Sequence, residues 1–177
     1  MSEYRIYKPR KDQATNKFVG AATKWESKIK EKKTKAGKVF KEIQLFVTGT
    51  NQIGEENGNA TFNWKTEKNK NGEQVIMKLG DPDVGEILCL LNRKKDKLGT
   101  PKQSGLFHQN EKGNTTLQME FRKSQKPTDF DDSFTLRLSA KAKNEGAALV
   151  VSHTLTLAEA EILKNLLEGA IRRKYAT

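Results

Sequence analysis

Between residues 18 and 29 the chain alternates. Val19, Ala21, Thr23, Trp25, Ser27 and Ile29 fall on one side, and Lys24, Glu26, Lys28 and Lys30 on the other. Successive side chains of a strand point to opposite faces, so this period of two predicts a half-buried strand with a basic outer face. After the turn KTKAGK the alternation resumes over residues 39–47, with Val39, Ile43, Leu45 and Val47 on one face and Phe40, Glu42, Gln44 and Phe46 on the other. Together they predict a hairpin with positive charge at its tip. GTNQIGEENGN has the composition of a loop, Phe62 and Trp64 share one side of a short strand, and NKNG turns the chain into a fourth strand over residues 74–79.

The period then changes. Asp81 stands where a helix N-cap is expected, Pro82 occupies the first helical position, and Val84, Ile87, Leu88 and Leu91 follow at helical spacing. Beyond the lysine-rich break RKKDKLGTPK, four more strands are expected at residues 106–109, 115–121, 134–140 and 147–153. A last helix is expected at 157–173, with Ala160, Leu163, Leu166, Leu167, Ala170 and Ile171 on one face and Thr156 and Glu159 as a capping box.

One offset of 75 residues lays Asp81 on Thr156 and Glu86-Ile87-Leu88 on Glu161-Ile162-Leu163. It predicts a duplicated unit of four antiparallel strands plus one helix, a pseudo-repeat of residues 1–98 and 99–177 within one domain. The fold class is α+β, two sheets with two helices.

Composition adds a partner. The 177 residues carry 33 Lys and Arg against 22 Asp and Glu, a net charge of +11. Residues 1–48 hold 13 basic and 5 acidic residues, a net of +8, so most of the excess lies in the first quarter. Such a surface suits a polyanion. No stretch approaches the roughly 20 apolar residues of a membrane span, and the N-terminus lacks the apolar core of a secretory signal. The chain reads as soluble and intracellular, its single Cys89 as a core thiol that fits a reducing compartment, the compartment itself unassigned.

Enzyme signatures are missing. Two histidines and one cysteine cannot compose the usual structural zinc site, and no phosphate-binding glycine loop or nucleophile elbow occurs. Asp81 with Asp83, and Asp129, Asp131 and Asp132 in DFDD, are the carboxylates a magnesium-dependent nuclease would need. Asp81 reads as a cap, Asp83 suits the first-turn dipole, and DFDD beside Pro127 reads as a loop. No enzyme, metal or cofactor is therefore expected.

Cations interleaved with rings on strands are what single-stranded nucleic acid requires. Lysines neutralise phosphates, and exposed rings stack on bases at roughly 1 to 3 kcal/mol each. Lys24 and Lys28 lie on the basic face, and Lys38 and Lys41 adjoin Phe40, whose face is otherwise polar. Phe40 either stacks on a base or packs against a neighbouring strand. Trp25 shares its strand's apolar face, which favours core packing over stacking.

Several short stretches resemble one family. Ile6-Tyr7-Lys8-Pro9-Arg10 is similar to the I-Y-K-G-K opening of the Whirly family of single-stranded-DNA-binding proteins, although its A-A-L continuation is Lys11-Asp12-Gln13 here. Phe62-Asn63-Trp64 resembles Y-D-W, and the stretch from Leu79 to Gly85 resembles L-S-x-x-E-[VM]-G. Leu106-Phe107-His108-Gln109 resembles F-F-H-D, Leu138-Ser139 resembles L-S-V, and Thr156 with Ala158-Glu159 resembles T-x-A-E.

The resemblance implies two four-stranded sheets, each followed by a helix, and a homotetramer joined through the helices. Single-stranded DNA would lie along the sheets with little sequence preference. Related folds bind guide RNA, so an RNA-binding or RNA-annealing protein is the alternative, and a carboxylate-dependent nuclease a more distant one. The expected contacts are Lys8, Arg10, Lys24, Lys28, Lys38 and Lys41 on phosphates, and Phe40, Trp64, Trp25 and Phe107 on bases.

Overall fold

The alternating segments become two antiparallel sheets. In the computed structural model, residues 2–35, 37–111, 113–125, 132–143 and 146–176 are described, Phe40 by its backbone alone. The first half runs β1 (Ser2–Lys8), β2 (Ala21–Lys33), β3 (Val39–Glu56), β4 (Asn59–Phe62), β5 (Val75–Leu79) and α1 (Asp81–Leu91). The second runs β6 (Leu106–Asn110), β7 (Gly113–Arg122), β8 (Ser133–Ala142), β9 (Leu149–Thr156) and α2 (Leu157–Tyr175). Sheet order is β1-β2-β3-β4 with β5 also on β3, and β6-β7-β8-β9.

The first sheet thus has five strands where four were expected. The added strand is β1, whose Ile6 is buried between exposed Arg5 and Tyr7, a period of two too short to stand out in the sequence. The segment expected to be a loop after residue 48 is instead the continuation of β3, which turns into β4 at Asn57-Gly58. Both turn residues have positive φ, 50° and 77°, as a two-residue hairpin loop demands. Polar composition there reflects an exposed hairpin and not an absence of pairing. Trp64 lies just beyond β4 and not within it.

The cap of α1 also differs. Gly80 is the N-cap, its N–H donating to Asp83 Oδ2 at 2.7 Å, which leaves Asp81 in the first turn. There Asp81 receives Lys174 Nζ at 2.5 Å and the Tyr175 hydroxyl from the end of α2, and these donors, Lys174 first, hold its carboxyl below the usual carboxylate range. At the start of α2, Thr156 and Glu159 form the expected reciprocal box. The caps Gly80 and Thr156 are 76 residues apart, and the same 76 relates the buried positions Val84 to Ala160, Ile87 to Leu163 and Leu91 to Leu167. The helices therefore match one residue out of step with the EIL triplets.

Inner faces of both sheets and helices share one apolar core, in which Trp25, Val47, Met77, Ile87, Leu117, Leu136 and Leu163 are fully buried. The sheets meet at Gly49 of β3. A Cβ there would lie 3.0 Å from Val151 Cγ1 on β9 and 3.1 Å from Leu138 Cδ2 on β8, so hydrogen at this position lets the strands approach. Cys89 is only half-buried, because it falls beside the inward stripe of α1.

Candidate nucleic-acid interface

Register builds the outer face of the first sheet. Arg5, Lys24, Thr48 and Ile76 form one row across β1, β2, β3 and β5, and Glu3, Glu26, Phe46 and Lys78 form the next. Over these rows lies an open groove of about 360 Å³ whose cations are Arg5, Lys24, Lys28 and Lys65 and whose rings are Phe46 and Trp64. Lys28 Nζ sits 5.4 Å from the centroid of the half-buried Phe46 ring. At its β1 side, Tyr7 and Phe62 pack at 5.4 Å between ring centroids.

Trp64 is positioned by its loop. Its carbonyl accepts from Asn69 Nδ2 at 3.1 Å, and the same amide donates to Asn63 Oδ1 at 3.1 Å. Its indole Nε1 is buried and meets no acceptor among the described residues.

One carboxylate lies inside the basic face. Glu26, buried between two strands, holds Lys28 Nζ at 2.9 Å and Lys24 Nζ at 3.4 Å. Burial alone would raise its pKa, yet the two ammonium groups outweigh burial and keep it lowered. Glu26 thus fixes both lysines over the sheet while offsetting part of their charge.

Beyond Ser27 and Leu45 neither β1 nor β5 accompanies β2 and β3, so residues 28–33 and 39–44 extend as a two-stranded ribbon. Lys28, Lys30 and Lys32 continue the basic face, with Lys32 held 2.8 Å from Glu42. Lys38 is exposed beside the turn, and Lys41, paired in register with Glu31, points to the opposite face. Phe40 pairs in register with Lys32, and its side chain lies outside the described residues.

The other expected residues do not join this groove. Trp25 is 0% exposed, packed among core side chains, and no base can reach its ring. Its apolar neighbours in the alternation, Ala21 and Val47, were the sign of that burial. Lys8 is drawn to Glu159 at 2.7 Å, and with Arg10 it lines a second, larger groove at the junction of the sheets. Phe107 is 44% exposed on β6, on the outer face of the second sheet.

Arg5, Tyr7, Phe46 and Lys65 escaped the sequence reading. Phe46 already shared a predicted face with Phe40, a signal that period two carried, whereas Arg5 and Tyr7 alternate with buried Ile6 over too short a run to give one. Lys65 reaches the groove only through a loop and had none.

The carboxylates once considered for metal chemistry are engaged elsewhere. Asp83 receives the Gly80 N–H and lies 3.0 Å from His108 Nε2, while Asp132 accepts from the Ser124 N–H at 2.9 Å. Asp129 and Asp131 lie outside the described residues, and among those described no three His, Cys, Asp or Glu side chains converge. Also among them, no helix is long and apolar enough to cross a membrane.

No family model and no curated protein sequence matches the chain. Solved structures do. Over 98% of this chain and 88% of theirs, WHY3 from Arabidopsis thaliana superposes with a TM-score of 0.64 at 16% identity. The plant transcriptional regulator PBF-2 gives 0.61 at 16% identity over 97% of this chain and 89% of that one. MRP1/MRP2 of Trypanosoma brucei gives 0.54 at 13% identity over 97% and 84%. Two antiparallel sheets, each leading into one helix, are common ground with the plant proteins, and the chain has the Whirly fold.

Proposed function

We propose that this protein binds single-stranded DNA with little sequence preference and is not an enzyme. The observation that carries this reading is the open groove in which Phe46 and Trp64 stand between Lys24, Lys28 and Lys65. Rings accept any base because every base has a π-face, and cations on a sheet follow a backbone without reading its sequence. Duplex would keep its bases stacked inward and leave both rings unused. The likeness to WHY3 and PBF-2, and the sequence resemblance to a family that binds single-stranded DNA, support the same partner.

Arg5, Lys24, Lys28 and Lys65 line the groove against the one carboxylate Glu26, a net of three positive charges for phosphate. Three phosphates so neutralised on a single strand give log K against log salt a slope of about −2. The ribbon lysines would add to it on longer strands. Lys8 and Arg10 belong to the second groove, and Lys38, Lys41 and Phe107 would meet a strand only beyond the first.

The assembly we propose is a homotetramer joined through the helices. Ile162 is 50% exposed on α2 with half-buried Leu166 one turn further along the same face, and Leu88 and Cys89 on α1 are half-buried too. An apolar strip of this kind is covered when helices of a second copy pack on it.

A competition among oligo-dT, oligo-U and a duplex of equal length, at several salt concentrations and with a native mass measurement, tests both claims. The reading expects single strands to win, the slope above, and a mass of four chains. Equal capture of duplex, or affinity indifferent to salt, would overturn it. Loss of substrate in the presence of magnesium, abolished by Asp81→Ala, would establish the nuclease instead.

A further inference from the structure

Alternation in β5 is strict: Val75, Met77 and Leu79 are buried, and Ile76 and Lys78 point outward. An outward strand position favours a polar side chain, yet Ile76 stands 51% exposed and lines the first groove. The rest of its row, Arg5, Lys24 and Thr48, is polar. A lone exposed isoleucine is ordinary, so its neighbours decide what this one does.

Both rings of the groove are brought beside it. Register pairs Thr48 with Ile76 and Phe46 with Lys78, which makes Phe46 the diagonal neighbour of Ile76, at the roughly 7 to 8 Å spacing that an aromatic side chain spans. Trp64 reaches the same strand from its loop. A Cβ on Gly72 would lie 2.5 Å from the Trp64 carbonyl oxygen and 2.6 Å from the Lys65 nitrogen, so glycine lets the backbone of Trp64 press against the turn that enters β5. Phe46, Trp64 and Ile76 are therefore the apolar lining of a groove whose other described members are polar.

Their shapes give them different uses. Flat rings stack on the face of any base and read nothing. A branched aliphatic side chain beside them meets the edge of the base that is stacked. Pyrimidine edges differ at C5, where thymine carries a methyl group and cytosine and uracil carry hydrogen, and apolar contact with that methyl group is how proteins read thymine.

We propose that Ile76 receives the C5 methyl group of a thymine stacked on Phe46 or Trp64, which biases the groove toward thymine among the pyrimidines. The bias favours DNA over RNA through the base, because uracil takes the place of thymine in RNA. It rests on the single-strand reading above and adds one discriminating contact to a groove that otherwise tolerates every sequence. One methyl group withdrawn from water is worth about a fourfold gain in affinity, small enough to leave binding broadly tolerant.

Fluorescence anisotropy on oligo-dT, oligo-dU, oligo-dC and oligo-5-methyl-dC of one length holds the sugar constant and varies the methyl group. Wild type should hold oligo-dT about fourfold tighter than oligo-dU, and 5-methyl-dC tighter than dC by a similar factor. Ile76→Ala should bring both ratios close to one, Ile76→Val should keep most of each, and Ile53→Ala, at a 59% exposed position of β3 outside the groove, should change neither. Both positions are exposed, so all three variants should fold as wild type does. Equal affinity for oligo-dT and oligo-dU overturns the thymine contact. So does a preference that survives Ile76→Ala, which would belong to stacking on the rings themselves. Failure of all four strands to bind would overturn the nucleic-acid reading with it.

Discussion

His153 Nε2 on β9 lies 2.9 Å from Thr23 Oγ1 on β2, a buried hydrogen bond that joins the two sheets. Nδ1 faces the Thr154 carbonyl at 3.4 Å, which assigns the proton to Nδ1 and makes Nε2 the acceptor. Burial drives the imidazole pKa from 6.5 down to about 4, the ammonium of Lys8 adding to it and the carboxylate of Glu159 opposing it.

The stability consequence has a definite sign. The unfolded chain takes a proton near pH 6.5 and the folded chain only near 4, so the neutral ring's contribution is complete above 6.5 and is lost as pH falls toward 4. The separation corresponds to about 3 kcal/mol. Urea unfolding at pH 7.5 and at pH 4.5 should show this loss, and His153→Gln should flatten the dependence in that window while lowering stability at pH 7.5. An unchanged pH profile in the variant would assign the loss to other groups.

Two tryptophans should separate binding from folding. Phe46→Ala and Trp64→Ala are each expected to weaken oligo-dT binding by about 1 to 3 kcal/mol. Trp25→Ala should instead cost about 3 to 5 kcal/mol of stability, because a fully buried ring leaves a cavity. Anisotropy and chemical denaturation on the same three proteins check both.

Glu26 restrains the face it organises. Replacing it, Glu26→Gln, removes the carboxylate shared by Lys24 and Lys28, so oligo-dT binding should tighten by a factor of about three and its salt slope should steepen. Weaker binding would mean that placing the two lysines matters more than freeing their charge.

At Gly49 the prediction concerns packing alone. Gly49→Val directs two methyl groups into Val151 and Leu138 and should lower stability by about 1 to 3 kcal/mol, read as a lower urea midpoint. Val151→Ala in the same chain should recover part of the loss by opening the space.

Asp81→Asn breaks the pair with Lys174 at the ends of the helices. Both side chains are about one-third exposed, so the expected cost is at most about 1 kcal/mol, with oligo-dT binding unchanged. A larger fall would show that the end of α2 depends on this pair.

Local alternation and capping chemistry were enough to place eight of the nine strands approximately, both helices, and the basic aromatic character of the first half. Those signals are written in neighbouring residues: Thr23, Trp25 and Ser27 inward, Lys24 and Lys28 outward, and Thr156 three positions before Glu159. Contacts between distant residues could not be read that way. Only the folded chain takes Lys8 to Glu159, turns Asp81 from a cap into Lys174's partner, sets Tyr7 against Phe62, and brings Phe46, Trp64 and Ile76 to one groove. Each of these depends on which strands lie side by side and in what register, and that is fixed by burying one shared core from both halves of the sequence.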